Sequence, residues 1–239
     1  MSDDPSRDVL QQMERDWDRR ARENARYYVA SGREQWSDEE YYLSGEQNLQ
    51  QEILTDLENV CQGKKRERMR VLEIGCGTGR ITRALARYFG EVYAVDISAE
   101  MVRQARMALR EFPNAHVFHN NGRDLSAVQR SGLPRLLGRL GLAPLEFDFA
   151  FSYIVFQHIP SYEVIESYVR EVHRLLRPGA LFKFQVQGYT EEADARDSWL
   201  GVPFSEAEAR GMAERCGFEM RYGHGAGTQY YWLWFFKKK

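Results

Sequence analysis

Glu73 closes an apolar run, and Gly75, Gly77 and Gly79 follow it at alternate positions in VLEIGCGTGR (71–80). Glycines at the end of a strand permit a tight turn and let a ligand come against the backbone with no Cβ in the way. A helix starting there points its unsatisfied N–H groups into the same space. The fingerprint for a dinucleotide needs glycine at relative positions one, three and six, and here the sixth position is Arg80. An acid beside such a cradle repels phosphates and attracts an ammonium or sulfonium. The pattern therefore favours a cationic, phosphate-free nucleoside over NAD. A second carboxylate, Asp96 in VYAVDIS (92–98), follows after the length of one helix and one strand. An acid there can accept hydrogen bonds from both ribose hydroxyls.

These residues need a sheet to hold them. Strand-like runs at RVLEI, EVYAVDI, AHVFHN, FDFAFSYI and ALFKFQVQ alternate with helical patterns at 79–89, 98–111 and 161–176. That rhythm predicts βαβ units and a doubly wound, mostly parallel α/β sheet. Open sheets of this kind bind ligands at the carboxyl ends of their strands. Ser161 after Pro160 opens the third helix, RPG (177–179) stops it, and SEAE (205–208) is a capping box for a fourth ending at Gly217. The ending differs: FEMRYG and TQYYWLWFF are joined by a glycine-rich loop with no helix between, so they should pair antiparallel. The last run is aromatic on both faces, which places it inside the sheet.

Residues 1–62 read as a helical cap or lid over the main domain, 63–239, with the charged connector QGKKRERMR (62–70) at the boundary. Within the cap, SGEQ (44–47) marks a helix start, with Ser44 as the cap. The aromatics Tyr27, Tyr28, Trp36, Tyr41 and Tyr42 either pack on the domain or close over a ligand, where rings can contact a sulfonium. Tyr27 and Tyr28 are the first candidates for contact.

From about Arg70 to Lys239 the chain resembles the class I S-adenosylmethionine-dependent methyltransferases. LEIGCGTGR matches that family's first motif and VYAVDIS the acidic loop after it. FDFAFSYIVFQHIP matches the fourth strand, and EVHRLLRPGALFKF the following helix, turn and fifth strand. The resemblance implies a Rossmann-like seven-stranded sheet with the last strand antiparallel, and S-adenosylmethionine as cofactor. It implies that Glu73, Gly75 and Gly77 serve the methionine end, with Gly79 completing the turn, that Asp96 holds the ribose and that Ile97 packs on adenine. In NGRDL (121–125) the family's usual acid is replaced by Asn121, followed by Gly122 in place of Ala. The Asn121 carbonyl can accept from the adenine amino group and the Gly122 N–H can meet a ring nitrogen. Asp124 is the rival acceptor.

His158, just past the fourth strand in FQHIP, is either a general base for the methyl acceptor or a residue that shapes the loop. Methyl transfer to an O or N (less readily a C) of a small molecule is the expected reaction. A non-catalytic S-adenosylmethionine-binding module and an NAD-linked oxidoreductase are the alternatives. The balance of 33 Lys+Arg against 35 Asp+Glu gives no electrostatic case for nucleic acid. No metal-ligand constellation is visible, and the three scattered cysteines neither frame disulfides nor bind metal. The polar start and the lack of a run of about 20 apolar residues suggest a cytoplasmic protein with no membrane span, a monomer or homodimer. The Leu/Arg-rich segment 127–146 reads as a short helix over the sheet.

Overall fold

The computed structural model describes residues 5–129, 145–189 and 199–239. Two helices come first, α1 (Pro5–Val29) and α2 (Asp38–Glu52), then the short α3 (Leu57–Cys61). The alternating part follows as β1 (Arg70–Ile74), α4 (Arg80–Tyr88), β2 (Glu91–Asp96), α5 (Ala99–Ala108), β3 (Ala115–His119) and α6 (Ser126–Gln129). Then come β4 (Phe147–Ser152), α7 (Tyr162–Leu175), β5 (Leu176–Val186), α8 (Glu206–Arg215), β6 (Phe218–His224) and β7 (Tyr231–Lys237).

The seven strands make one sheet in the order β3-β2-β1-β4-β5-β7-β6. Strands β1 to β5 pair in parallel, and β7 runs antiparallel between β5 and β6. The strand order reverses between β1 and β4, so their carboxyl ends diverge and leave the crevice in which such sheets hold ligands. Strand β4 shows why this sheet needs cover on both faces: all six of its residues are buried. Phe182 and Phe184 join the core on the side of α7 and α8, Phe149 and Phe151 the core on the side of α3 and α4. The doubly wound sheet with its antiparallel seventh strand is as expected, and the aromatic β7 is internal.

The N-terminal helices share these cores. Leu10 and Met13 of α1 lie in the first, and Leu49 of α2 with Ile53 just beyond it in the second. Helix α2 begins earlier than expected. Ser37 caps it by accepting from Glu40 N–H, and Glu40 reaches back to the cap. Ser44 lies inside the helix and donates to the Tyr41 carbonyl at 2.6 Å. SDEE and SGEQ both carry the capping spacing; the first prevails because three acids then fall in the positive first turn. The tip of the Leu/Arg-rich segment, 130–144, lies outside the described residues. No described helix is long and apolar enough to cross a membrane.

Candidate active site

At the carboxyl ends of β1, β2 and β4 a cleft opens under α1, lined by apolar side chains and a few convergent polar groups, as small-molecule sites are. Its floor holds Glu73, Gly75, Gly77, Asp96 and Ile97, and its walls Asn120, Tyr153, Ile154, His158 and Tyr168. Met13, Trp17, Tyr28 and Val29 of α1 cover it.

The glycine turn is tight because Gly75 and Cys76 both donate to the Val95 carbonyl, at 2.8 and 3.1 Å. Gly75 and Gly77 hold φ of +73° and +53°, a region closed to most side chains. The space they clear is filled by protein as well as facing the cleft. A Cβ on Gly75 would stand 2.2 Å from Val155, and one on Gly77 2.7 Å from Val29 of the covering helix. Gly79, at φ +84°, is the cap residue of α4 and packs toward Leu109, outside the cleft lining.

Glu73 is 3% exposed, and Thr82 Oγ1 donates to its Oε2 at 2.6 Å. Burial pushes its carboxyl up to about 7, against the Thr82 hydrogen bond and the Arg80 charge. Asp96 accepts from Gly77 N–H through Oδ2 at 2.8 Å and from Ser98 N–H through Oδ1 at 2.9 Å. Its face toward the cleft is open, yet the protein around it raises its pKa by desolvation, opposed by those two hydrogen bonds. Each carboxylate oxygen keeps a lone pair for a ligand hydroxyl.

Beyond β3 the lining residue is Asn120 rather than Asn121. Asn120 is 3% exposed; its Nδ2 donates to Tyr168 Oη at 2.8 Å, and its buried Oδ1 has no partner among the described residues. A buried carbonyl oxygen left so needs an N–H or O–H from elsewhere. Asn121 is exposed and spends its Oδ1 on the N–H groups of Arg123 and Asp124. That local turn is what an Asn before Gly favours, and it was the missed signal. Gly122, at φ +74°, is buried under Leu10 and against Ile97, not in the lining. Asp124 faces a shallow depression with Asn121 and His119.

Of the cap aromatics, Tyr28 lines the cleft, while Tyr27 packs edge-on against it at 5.2 Å. Tyr41 is 1% exposed and bonds Thr78 at 2.6 Å, and Tyr42 lies under Arg83. Trp17, Tyr153 and Arg80 were not anticipated as lining residues. Trp17 reads as one apolar position of a helix, and only the docking of α1 turns it toward the cleft. Ile154 has φ +54°, a real outlier for a β-branched residue that costs about 1–3 kcal/mol. Such strain recurs at functional sites.

His158 ends a short 3-10 turn over Phe156–His158. Its Nδ1 stands 2.6 Å from the Trp199 carbonyl, so Nδ1 carries the proton and donates. Nε2 is then the accepting atom, 3.3 Å from the Gln157 amide nitrogen. The ring packs against Trp17 and Trp199, centroids 5.5 and 5.1 Å away, and those two rings lie 6.5 Å from each other.

These features suit an adenosyl ligand with a cationic tail: a backbone cradle, an acid for each end and an unpartnered carbonyl where an amino group can donate. Residues 72–182 match the family model described as a methyltransferase domain. The malonyl-[acyl-carrier protein] O-methyltransferase of Enterobacter lignolyticus is 29% identical over 133 residues, 56% of this chain and 45% of that one. The ubiquinone biosynthesis O-methyltransferase of Xanthomonas campestris is 30% identical over 111 residues, 46% of this chain and 39% of that one. The chain thus spans less than half the length of these curated relatives. Its fold is that of the magnesium protoporphyrin IX methyltransferase of Synechocystis, solved with bound S-adenosylmethionine. The TM-score is 0.64 at 17% identity, over 96% of this chain and 97% of that one. With the glycine turn, the two acids and the sheet order in place, residues 72–182 are a methyltransferase domain, carried on the fold of an S-adenosylmethionine-binding methyltransferase.

Proposed function

We propose that the protein transfers the methyl group of S-adenosylmethionine to an oxygen or nitrogen of a small molecule. One observation carries the reading: Glu73, Asp96 and the unpartnered Asn120 Oδ1 line one cleft at the switch point of the sheet. Glu73 would face the ammonium end of the cofactor, Asp96 the ribose and Asn120 the adenine amino group, with Ile97 against the ring. This gives Asn120 the place first expected of Asn121. Gly122 shapes the adenine wall through Ile97, and Gly79 and Tyr27 act behind the lining, on α4 and on Tyr28.

When bound, the cofactor supplies an electrophilic methyl on a sulfonium. The chain's part is to align an acceptor with it and to exclude water. Met13, Trp17, Tyr28 and Val29 do the excluding. The acceptor enters beside Tyr153 and His158, and the ring of Tyr28 can favour positive charge below it. A small acceptor is supported by the covered cleft, and the two relatives above are by name O-methyltransferases.

The test is incubation with methyl-labelled S-adenosylmethionine and a metabolite extract. Label should move to a small molecule. Tight cofactor binding with no transfer in any extract would reduce the protein to a binding module.

A further inference from the structure

His158 is held at both ring nitrogens, and the holding has a direction. Its Nδ1–H donates to the Trp199 carbonyl at 2.6 Å, which leaves Nε2 of the neutral ring as an acceptor. The Gln157 side chain meets that nitrogen at 3.3 Å, so the Gln157 atom there is its amide nitrogen. The Gln157 carbonyl then accepts, and Gln185 Nε2 of β5 donates to it at 2.8 Å. Every link in the row Gln185–Gln157–His158–Trp199 donates the same way. Gln157 and Gln185 are 3% and 1% exposed, so bulk water does not compete for these bonds. A proton arriving at Nε2 would set N–H against N–H and break the row.

That bears on the methyl acceptor, which enters past β4 beside Tyr153, Ile154, Val155, His158 and Ile159. Among those residues the imidazole is the one base for neutral pH, and its lone pair is spent. Glu73 and Asp96 lie on the floor, at the ends of β1 and β2, and accept from Thr82 and from Gly77 and Ser98. A phenol or an alkylammonium, with a pKa of about 10, has to lose a proton before it attacks. A carboxylic acid, at about 4, has lost it already.

The same end of the cleft presents a donor. Arg80 Nη1 donates to Asn48 Oδ1 at 2.6 Å, which turns the Asn48 amide nitrogen to Tyr153 Oη at 3.0 Å. The Tyr153 oxygen therefore accepts, and its own proton has no acceptor among the described residues. Burial raises the phenol above its ordinary value, against the Arg80 charge, so it stays a donor at neutral pH. The guanidinium carbon stands 5.9 Å from the ring centroid, and its charge favours an anion beside the hydroxyl.

We infer that the acceptor is a small carboxylic acid, bound as its carboxylate with one oxygen on the Tyr153 O–H, and that the product is a methyl ester. The inference rests on the methyl-transfer reading above. The other carboxylate oxygen bonds the methyl carbon, and the carbon–sulfur bond breaks with its electron pair left on sulfur, giving S-adenosylhomocysteine. No proton moves, so alignment suffices and a committed His158 costs the reaction nothing.

The test incubates the protein with methyl-labelled S-adenosylmethionine and a metabolite extract, then treats the product with mild alkali. The label should leave as volatile methanol. An extract whose carboxylates are first capped with carbodiimide and an amine should accept none. Tyr153→Phe should need about 10- to 100-fold more of the active fraction for half-maximal transfer, the worth of a hydrogen bond to a charge. Its affinity for S-adenosylhomocysteine should stay within about twofold, which also reports an intact cleft. Nitrogen NMR of the unliganded protein at neutral pH should show His158 as the neutral Nδ1–H form, a readout independent of turnover. Label that resists alkali, as in an ether or an N-methyl group, overturns the carboxylate. Half-maximal transfer unchanged in Tyr153→Phe, or an equal loss of S-adenosylhomocysteine affinity, overturns the role of Tyr153. A His158 ring protonated at Nε2 overturns the premise that its lone pair is spent. Label transferred to nothing, with cofactor bound, overturns the methyl-transfer reading itself, and this inference with it.

Discussion

Glu73 is a carboxyl that folding keeps protonated: burial raises it from 4.5 to about 7. Between those values the native state holds a proton that the unfolded chain has lost, so stability falls as pH rises from 4.5 through about 7. The upper limit is roughly 3 kcal/mol across that window. Binding runs the other way, because the ionised form is the one that meets an ammonium. Affinity for S-adenosylhomocysteine should therefore rise between about pH 5.5 and about pH 8, and Glu73→Gln should flatten the curve. A parent curve already flat would remove Glu73 from the ligand. His158 poses the opposite question, whether a titratable ring takes part at all. Its Nδ1–H is committed to the Trp199 carbonyl, its Nε2 meets the Gln157 amide, and its ring packs against two tryptophans. Those contacts support a residue that holds the wall of the cleft. His158→Ala is expected to lower the melting temperature and to leave kcat within about tenfold of the parent. A loss of about 10²–10⁴ in kcat, with stability and cofactor affinity unchanged, would make it the general base instead.

Elements differ in how far local sequence determines them. Strand β1, the turn and α4 were legible because apolar run, glycines and amphipathic helix all point one way, and Ser161 and Ser205 cap their helices where the pattern puts them. The start of α2 was not, because two capping patterns lie seven residues apart, and what separates them is the three acids after Ser37 rather than the capping spacing itself. Asn120 and Asn121 show the same limit at finer grain: neighbours of one residue type differ in which spends its carbonyl on a local turn. Covering residues such as Trp17 are invisible until the helix is docked. Gly45 is the clearest case of tertiary demand over propensity. Mid-helix glycine costs about 1 kcal/mol against alanine, yet an added Cβ would meet the Arg80 backbone at 2.4 Å. Gly45→Ala should consequently destabilise, since overpacking of about 1–3 kcal/mol outweighs the helical gain. Urea unfolding measures it, and a raised midpoint would show that α2 can move off α4 at little cost.

For the whole molecule, the issue is how a ligand reaches a cleft that α1 covers. Simple truncation of residues 1–43 would remove Leu10, Met13 and Tyr41 from the packed interior, so it tests stability as much as closure. The clamp itself is more selective. Asp18 of α1 accepts from Ser98 Oγ at 2.6 Å and from Glu100 N–H at 3.1 Å, at the start of α5. Burial alone would raise the Asp18 carboxyl, but the Ser98 and Glu100 hydrogen bonds and the Arg22 charge overrule it, and its pKa lies below the ordinary value. The clamp is thus intact at neutral pH and is lost only as acid protonates Asp18. Farther along, Gln104 donates to the Ala21 carbonyl at 3.1 Å. After these contacts the helix breaks at Asn24, where φ is −162° and ψ is 81°, and its Oδ1 accepts from Tyr27 N–H to start the last turn. The break separates the clamped part of α1, which carries Met13 and Trp17, from the turn carrying Tyr28 and Val29. Asp18→Ala removes one cap-like acceptor, worth about 1 kcal/mol, and should speed S-adenosylhomocysteine release about fivefold with little change in global stability. Hydrogen exchange should agree: ligand slows the amides of 8–23, and the substitution speeds them in the free protein. Release and exchange unchanged by Asp18→Ala would mean that α1 is a fixed wall, and that ligand enters past the loop of Tyr153 and His158.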